Sequence, residues 1–99
     1  MRAFWNNAVI AETMDGCVVI EDNCYFPPDT VNKEYLVPSD HTTECPWKGT
    51  ARYYHVYANG KQNDNAAWYY PEPKEEAVER VGKDFSNHVA FWNGVEIVE

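Results

Sequence analysis

The chain has 99 residues with a formal net charge of −8, and 44% of them are hydrophobic, which is the size and composition of one folded domain. Its eight basic residues are spread from Arg2 to Lys83 without a cluster, which argues against binding to nucleic acid or to an anionic membrane. Aromatic residues make up 15% of the chain, enough ring area to build a core or to line a pocket. We therefore expect one acidic domain over residues 1–99.

The cysteines bear on the cellular compartment. Cys17, Cys24 and Cys45 form no Cys-x-x-Cys pair, so the sequence has neither a zinc ribbon nor a thioredoxin-like motif. The first residues lack the apolar run of a signal peptide, and no segment is long and apolar enough to span a bilayer. These features predict free thiols and a cytoplasmic location.

Turn signals divide the first half of the chain into short extended segments. Asn6-Asn7 separates two apolar runs and predicts a hairpin. Residues 17–21 follow an Asp-Gly turn signal and predict another strand, which could pair with the strand near Val9. Prolines bound a middle region, about residues 37–46, that we expect to be rich in loops.

The second half has two stronger hairpin signals and one helix. Asn59-Gly60 and Asn93-Gly94 each lie between apolar runs, and both residues of such a turn must accept positive φ. Between them, Pro73 favours a helix start and Gly82 a helix end, with acidic side chains early and basic ones late. The sequence thus predicts a mainly β fold, a compact β-barrel-like or tent-like sheet built from hairpins, with one short α-helix near residues 74–81.

Two aromatic strings carry a resemblance to a known family. In this order, the chain contains the strings Cys45-Pro46-Trp47-Lys48-Gly49 and Ala67-Trp68-Tyr69-Tyr70-Pro71-Glu72-Pro73. With these strings, the chain from about Asn23 to Val98 resembles the bacterial and fungal family called domain of unknown function 427. The resemblance implies a compact, mainly β fold with one short helix.

Some members of that family carry a nucleotidyltransferase label. That chemistry needs paired carboxylates that hold Mg²⁺ near phosphates. This sequence has no Asp-x-Asp motif and no Gly-rich phosphate loop, and Asp64 and Asp84 are isolated acids near turns. Family members also often carry His where this chain has Cys24, so this protein would perform any role of that position with a thiol or not at all.

Cys45 and Lys48 are the candidate reactive residues. Cys45 could be a nucleophile whose thiolate Lys48 stabilises, with His41 or His55 as the base; alternatively, it is a small apolar core residue. Lys48 could bind an anionic group or form a Schiff base. The alternative for Lys48 is a surface lysine whose stem lies along Trp47.

The alternation of side chains along a strand predicts aromatic rings on both faces of the hairpin that turns at Asn59-Gly60. Tyr53 and Tyr54 lie on opposite faces of one strand, and Trp68 and Tyr70 lie opposite Tyr69 on the next. One ring-bearing face is expected to pack the core. The other could line a cavity or an oligomer interface.

These observations favour a small-molecule-binding β-domain, with an aromatic-lined pocket and Lys48 as the polar anchor for a small, flat or partly apolar anion. The alternative function is an enzyme that uses Cys45 or Lys48 with a nearby histidine, and a structural or oligomerising role is a third. The expected binding residues are Tyr25, Trp47, Lys48, Gly49, Tyr54, Trp68 and Tyr70.

Metals and cofactors are not expected. The spacing of the potential ligands matches no common zinc pattern. These potential ligands are Cys24, His41, Glu44, Cys45, His55 and His88. The partners that the sequence leaves open are a small molecule and a second copy of the chain.

Overall fold

Nine β-strands, one α-helix and two single-turn 3-10 helices, Pro28–Thr30 and Lys33–Tyr35, make up the fold, seen in a computed structural model that describes all residues from 1 to 99. The predicted mainly β fold with one short helix is confirmed. The strands are β1 Arg2–Trp5, β2 Ala8–Glu12, β3 Val18–Ile20, β4 Asn23–Tyr25, β5 Leu36–Cys45, β6 Gly49–Ala58, β7 Lys61–Tyr69, β8 Val89–Phe91 and β9 Glu96–Val98. The helix, α1, spans Glu75–Val81 and ends at Gly82, whose left-handed backbone (φ 85°) caps it.

The strands form three antiparallel sheets, and none of them closes into a barrel. The largest has the order β5-β6-β7-β8, a second has the order β2-β1-β9, and β3 pairs only with β4. Two of the predicted Asn-centred hairpins are present, because both Asn6 and Asn7 (φ 47° and 64°) and both Asn59 and Gly60 (φ 50° and 80°) adopt positive φ.

The predicted hairpin at Asn93-Gly94 is wrong, although the chain does turn there. Both residues have positive φ, yet β8 pairs with β7 while β9 pairs with β1 in another sheet. The turn therefore carries the chain from one sheet to the next. An Asn-Gly pair specifies the local turn, and the partner of each strand is then decided by packing.

Two further expectations for the first half of the chain are corrected. The strand within residues 17–21 pairs with β4 and not with the strand near Val9. The supposedly loop-rich middle is the ten-residue strand β5. Its Pro38 is tolerated because β5 is an edge strand of its sheet, where a missing N–H breaks no required ladder bond.

Two hydrophobic clusters lie on opposite faces of the β6–β7 hairpin. The first core contains Ile10, Phe26, Val56 and Phe91 among its buried side chains. The second core contains seven buried residues, namely Ile20, Tyr25, Ala51, Tyr70, Ala77, Phe85 and Ala90. The helix contributes Ala77 to the second core, so α1 covers that face of the sheet. The prediction that rings occupy both faces is confirmed.

The expectation of three free thiols is wrong, because Cys17 and Cys24 form a disulfide and only Cys45 is free. Cys24 lies in β4 and Cys17 immediately precedes β3, so the bond joins the two strands of one hairpin. The spacing of the cysteines in the sequence does not predict this disulfide, because pairing depends on how close the folded chain brings the two residues. The cytoplasmic location stays a prediction and no longer rests on the cysteines. None of the helices is long and apolar enough to cross a membrane.

Reduction of the disulfide should lower the free energy of unfolding by about 2–3 kcal/mol, because the crosslink restricts the unfolded chain. The bond closes a short loop, with a sequence separation of 7. The check is urea denaturation with and without a thiol reductant. Cys45→Ser should still respond to the reductant, whereas the double variant Cys17→Ser/Cys24→Ser should not. A wild-type protein that is insensitive to the reductant would contradict the prediction.

Candidate functional site

The tight turn between β5 and β6 carries the Cys-Pro-Trp-Lys-Gly string. Cys45 ends β5 and pairs with Gly49, the first residue of β6. Gly49 has φ 117°, and an added Cβ would lie 3.4 Å from the Glu72 carbonyl oxygen. The Lys74 N–H donates to the Lys48 carbonyl oxygen at 2.9 Å, which docks the turn on the segment before α1. A glycine is needed here because the backbone approaches closely and adopts a positive φ.

Lys48 is buried, with 6% of its surface exposed. Its ammonium group lies 5.2 Å from the ring centre of Trp47 and 5.5 Å from that of Tyr70, within cation–π range of both rings. The Nζ atom donates to Oε1 of Glu21, which forms an ion pair with it. The guanidinium of Arg80 on α1 also contacts Trp47, 4.5 Å from its ring centre. The turn therefore holds a buried cation between two rings and one carboxylate.

That carboxylate belongs to an exposed part of the molecule. Glu21 lies in the turn between β3 and β4, and 56% of its side chain is exposed. Glu21 and its neighbour Asp22 both have positive φ, at 52° and 67°. The disulfide closes the same hairpin at its other end. The ion pair thus ties the tip of a small crosslinked hairpin to the buried ammonium group.

Tyr25 is the centre of the aromatic group beside Lys48, and it is 1% exposed. Its ring centre lies 6.1 Å from that of Trp68, 6.4 Å from that of Tyr70 and 6.1 Å from that of Phe85. Trp68 Nε1 donates a hydrogen bond to the Tyr25 hydroxyl at 3.0 Å. Edge-on and tilted packing of this kind adds to the stability gained by burial. We call Tyr25, Trp47, Lys48, Trp68, Tyr70 and Glu21 the lysine–ring cluster.

Burial dominates the electrostatics of the tyrosines in this cluster. It raises the pKa of Tyr25 above its usual value, although the hydrogen bond from Trp68 and the charge of Lys48 partly oppose the shift. Burial also raises the pKa of Tyr70, and the neighbouring Tyr25 and Cys45 add to that increase. Both phenols therefore stay neutral well into the alkaline range.

Alkaline pH should destabilise the fold through these buried phenols. Because the folded-state pKa of each is raised above the unfolded value of about 10, their contribution is fully present below that pH. It is lost as the pH rises from about 10 through the folded-state pKa values. Urea denaturation at a series of pH values should show this decline, and Tyr70→Phe should make it shallower. An identical decline in Tyr70→Phe would show that Tyr70 does not contribute.

Tyr54 and His55, both named from the sequence, do not join the cluster. Tyr54 packs against the first core and stacks on Tyr69 at 4.7 Å between ring centres, and burial raises its pKa. His55 Nδ1 accepts a hydrogen bond from the Asn65 N–H at 3.0 Å and lies 3.6 Å from an Asp64 carboxylate oxygen. The ring of His55 is thus engaged at an irregular point in the pairing of β6 with β7.

Cys45 is partly buried beside the second core, and its thiol is free. The histidine candidate His41 packs against the ring of Tyr53, with 4.6 Å between ring centres. No His side chain hydrogen-bonds to Cys45 or Lys48. The geometry of a nucleophile with an adjacent base is therefore not present in this conformation.

Sequence reasoning missed Glu21 and Arg80 as members of this region. Glu21 follows an apolar strand and Arg80 lies at the polar end of a helix, so each is read from sequence as an ordinary solvent-exposed charge. Only the folded chain shows that Glu21 reaches across 27 residues of sequence to Lys48. Contacts of this separation leave no local pattern to find.

The cluster is packed closed, and the surface clefts lie elsewhere. One cleft is lined by Thr50, Arg52, Pro71 and Glu72. The other lies along α1 and is lined by Glu75, Glu76 and Glu79. No group of three or more His, Cys, Asp or Glu side chains is arranged to hold a metal ion. Access to Lys48 therefore requires movement of a covering segment.

Together, the fold and the site define a small mainly β domain that buries one lysine among aromatic rings. The sequence model of the family described as "Domain of unknown function (DUF427)" matches residues 1–99. The chain therefore belongs to this family, as the two aromatic strings predicted, and the match covers the whole chain. A comparison with curated proteins finds no match.

Proposed function

We propose that the protein binds a small anionic molecule with a flat or partly apolar body, and that Lys48 holds the anionic group. The single observation that carries the proposal is a buried ammonium group whose carboxylate partner lies on an exposed turn. A buried cation needs an anion, because burying an unpaired charge is highly unfavourable. Here the anion can be exchanged, since Glu21 can swing into water.

The rings around Lys48 support a ligand with an apolar part. Trp47 and Tyr70 flank the ammonium group, and Tyr25 and Trp68 extend the ring surface behind it. Aromatic faces favour a flat ligand body, while one charged contact fixes its orientation. The net charge of −8 repels anions at long range, so the attraction has to come from the local contact with Lys48.

The turn at the tip of the β3–β4 hairpin, Glu21-Asp22, is the segment that would move to admit the ligand, because Ile20 and Tyr25 hold the strands themselves in the second core. The two strands of the hairpin have three residues each and pair only with one another in a regular sheet. A two-stranded sheet of this size is marginally stable by itself and depends on its crosslink and its packing. Glu21 and Asp22 form the two-residue turn of this hairpin, and both adopt positive φ, as Asn6 and Asn7 do in the first hairpin. Displacing the hairpin tip removes Glu21 from Lys48.

A fluorescence screen tests the proposal, because Trp47 and Trp68 both lie in the cluster. The panel should contain aromatic carboxylates and small organic phosphates, each with a neutral amide or alcohol of similar shape. We expect at least one anion to change the emission saturably and its neutral counterpart to have a much smaller effect. The proposal fails if no anion binds, or if neutral counterparts bind as tightly as the anions.

A further inference from the structure

A polar cleft beside the start of β6 is a second surface feature, and it lies on the face of that strand opposite the lysine–ring cluster. It has a volume of about 360 Å³ and is lined by Thr50, Arg52, Pro71 and Glu72. Thr50 and Arg52 flank Ala51, which is buried in the second core. Because side chains alternate along a strand, Thr50 and Arg52 project from the opposite face of β6.

The cleft contains two opposite charges that pair neither with each other nor with any other side chain. The ion pairs of the structure join Arg2 to Glu12 and Lys48 to Glu21, and the carboxylate of Asp64 lies beside His55. Arg52 and Glu72 are absent from these pairs, so their charged atoms lie more than 4.0 Å apart across the cleft.

We propose that this cleft binds a small zwitterion that carries one carboxylate and one ammonium group, the chemistry of a free amino acid. The guanidinium of Arg52 presents a planar set of donors that matches a carboxylate. Glu72 offers the matching acceptor for an ammonium group on the other side of the gap. The volume is within the range of small-molecule sites, at their lower end.

The charges around the cleft select a zwitterion over a simple anion or a simple cation. Glu72 lines the cleft, and Glu44 accepts a hydrogen bond from the Thr50 hydroxyl at 2.7 Å, so a plain anion meets two nearby carboxylates. A plain cation could contact these carboxylates but would leave Arg52 without a carboxylate partner. Thr50, with its proton given to Glu44, has lone pairs that can accept from the ligand's ammonium group.

The proposal is tested by NMR titration of the isotope-labelled full chain with glycine, β-alanine and γ-aminobutyrate, in which the separation of the two charges increases. We expect one of them to shift the backbone amides of Thr50, Arg52 and Glu72 saturably. Acetate and methylammonium, each carrying half of the charge pattern, should bind at least about tenfold more weakly. Arg52→Gln and Glu72→Gln should each weaken binding of the zwitterion by about tenfold or more.

Two matched variants make the result decisive. Glu75→Gln removes a carboxylate from the other cleft and should leave zwitterion binding unchanged. Lys33→Met removes an exposed lysine with no ion pair and should also leave it unchanged. Because the readout is confined to the amides of this cleft, the outcome is independent of the function proposed for the lysine–ring cluster. The inference is overturned if none of the three zwitterions shifts these amides, if acetate binds as tightly as the best zwitterion, or if Arg52→Gln binds like the wild type.

Discussion

Replacing Tyr25 by alanine should lower the free energy of unfolding by about 3–5 kcal/mol, a large part of the stability of a domain of this size. Tyr25 is 1% exposed and contacts the rings of Trp68, Tyr70 and Phe85, so the truncation leaves a cavity at the centre of the second core. Trp68 also loses the acceptor of its indole N–H. Urea denaturation followed by tryptophan fluorescence and by far-ultraviolet circular dichroism measures the change.

Tyr25→Phe is the matched control, since it keeps the ring and removes only the hydroxyl. It should lower the free energy of unfolding by about 1 kcal/mol, the usual value of a hydrogen bond whose donor can still find water. Trp68, partly exposed, is placed to find such a partner. If Tyr25→Ala were no less stable than Tyr25→Phe, the ring would not be the packing centre described here.

Lys48→Met should abolish most anion binding without unfolding the protein. Loss of a charge-assisted contact weakens binding by about 1.5–3 kcal/mol, or roughly 10- to 150-fold. Methionine fills a similar volume between Trp47 and Tyr70, and the carboxylate left behind on Glu21 is 56% exposed and remains hydrated. Replacing a buried ion-pair partner by an apolar side chain is therefore tolerated here.

The comparison for this variant is Lys33→Met, which removes an exposed lysine with no ion pair. It changes the net charge by the same amount, so any general effect of charge on anion binding appears equally in both variants. We expect Lys33→Met to bind like the wild type. Equal losses in the two variants would mean that the anion responds to the overall charge and not to Lys48.

Much of the fold follows from local sequence signals. The features that these signals do not predict depend on contacts between residues far apart in the sequence. The asparagines and glycines placed two hairpin turns correctly, and Gly82 placed the end of the helix, because positive φ restricts the residues that can occupy those positions. The same signal at Asn93-Gly94 failed to predict strand partners. The strands on either side join different sheets, and only long-range packing decides this.

The candidate site shows the same division. Alternation along the strands correctly put Trp68 and Tyr70 on one face and Tyr69 on the other. It could not assign Tyr54 to a cluster. The β5–β6 turn that carries Lys48 packs on one face of the hairpin, and the positions of α1 and of the β3–β4 hairpin decide which face that is. Tyr54 in fact packs on the opposite face from Lys48. The disulfide and the partner of Lys48 were missed for the same reason.

The central claim is that a ligand anion takes the place of the Glu21 carboxylate at Lys48. Glu21→Gln tests it most directly, because glutamine keeps the shape and the acceptor oxygen of the side chain and removes its charge. Lys48 is 6% exposed, so its ammonium group in this variant lacks a full counter-charge. The measurement is the melting temperature of the wild type and of Glu21→Gln, each with and without a saturating anion found in the fluorescence screen.

We expect Glu21→Gln to melt below the wild type without the anion and to gain more from the anion than the wild type does. The gain is larger because the ligand supplies the missing charge and no longer competes with a carboxylate of the protein, so it binds more tightly. A smaller gain in Glu21→Gln than in the wild type would contradict the claim. It would mean that Glu21 supports the ligand instead of giving way to it.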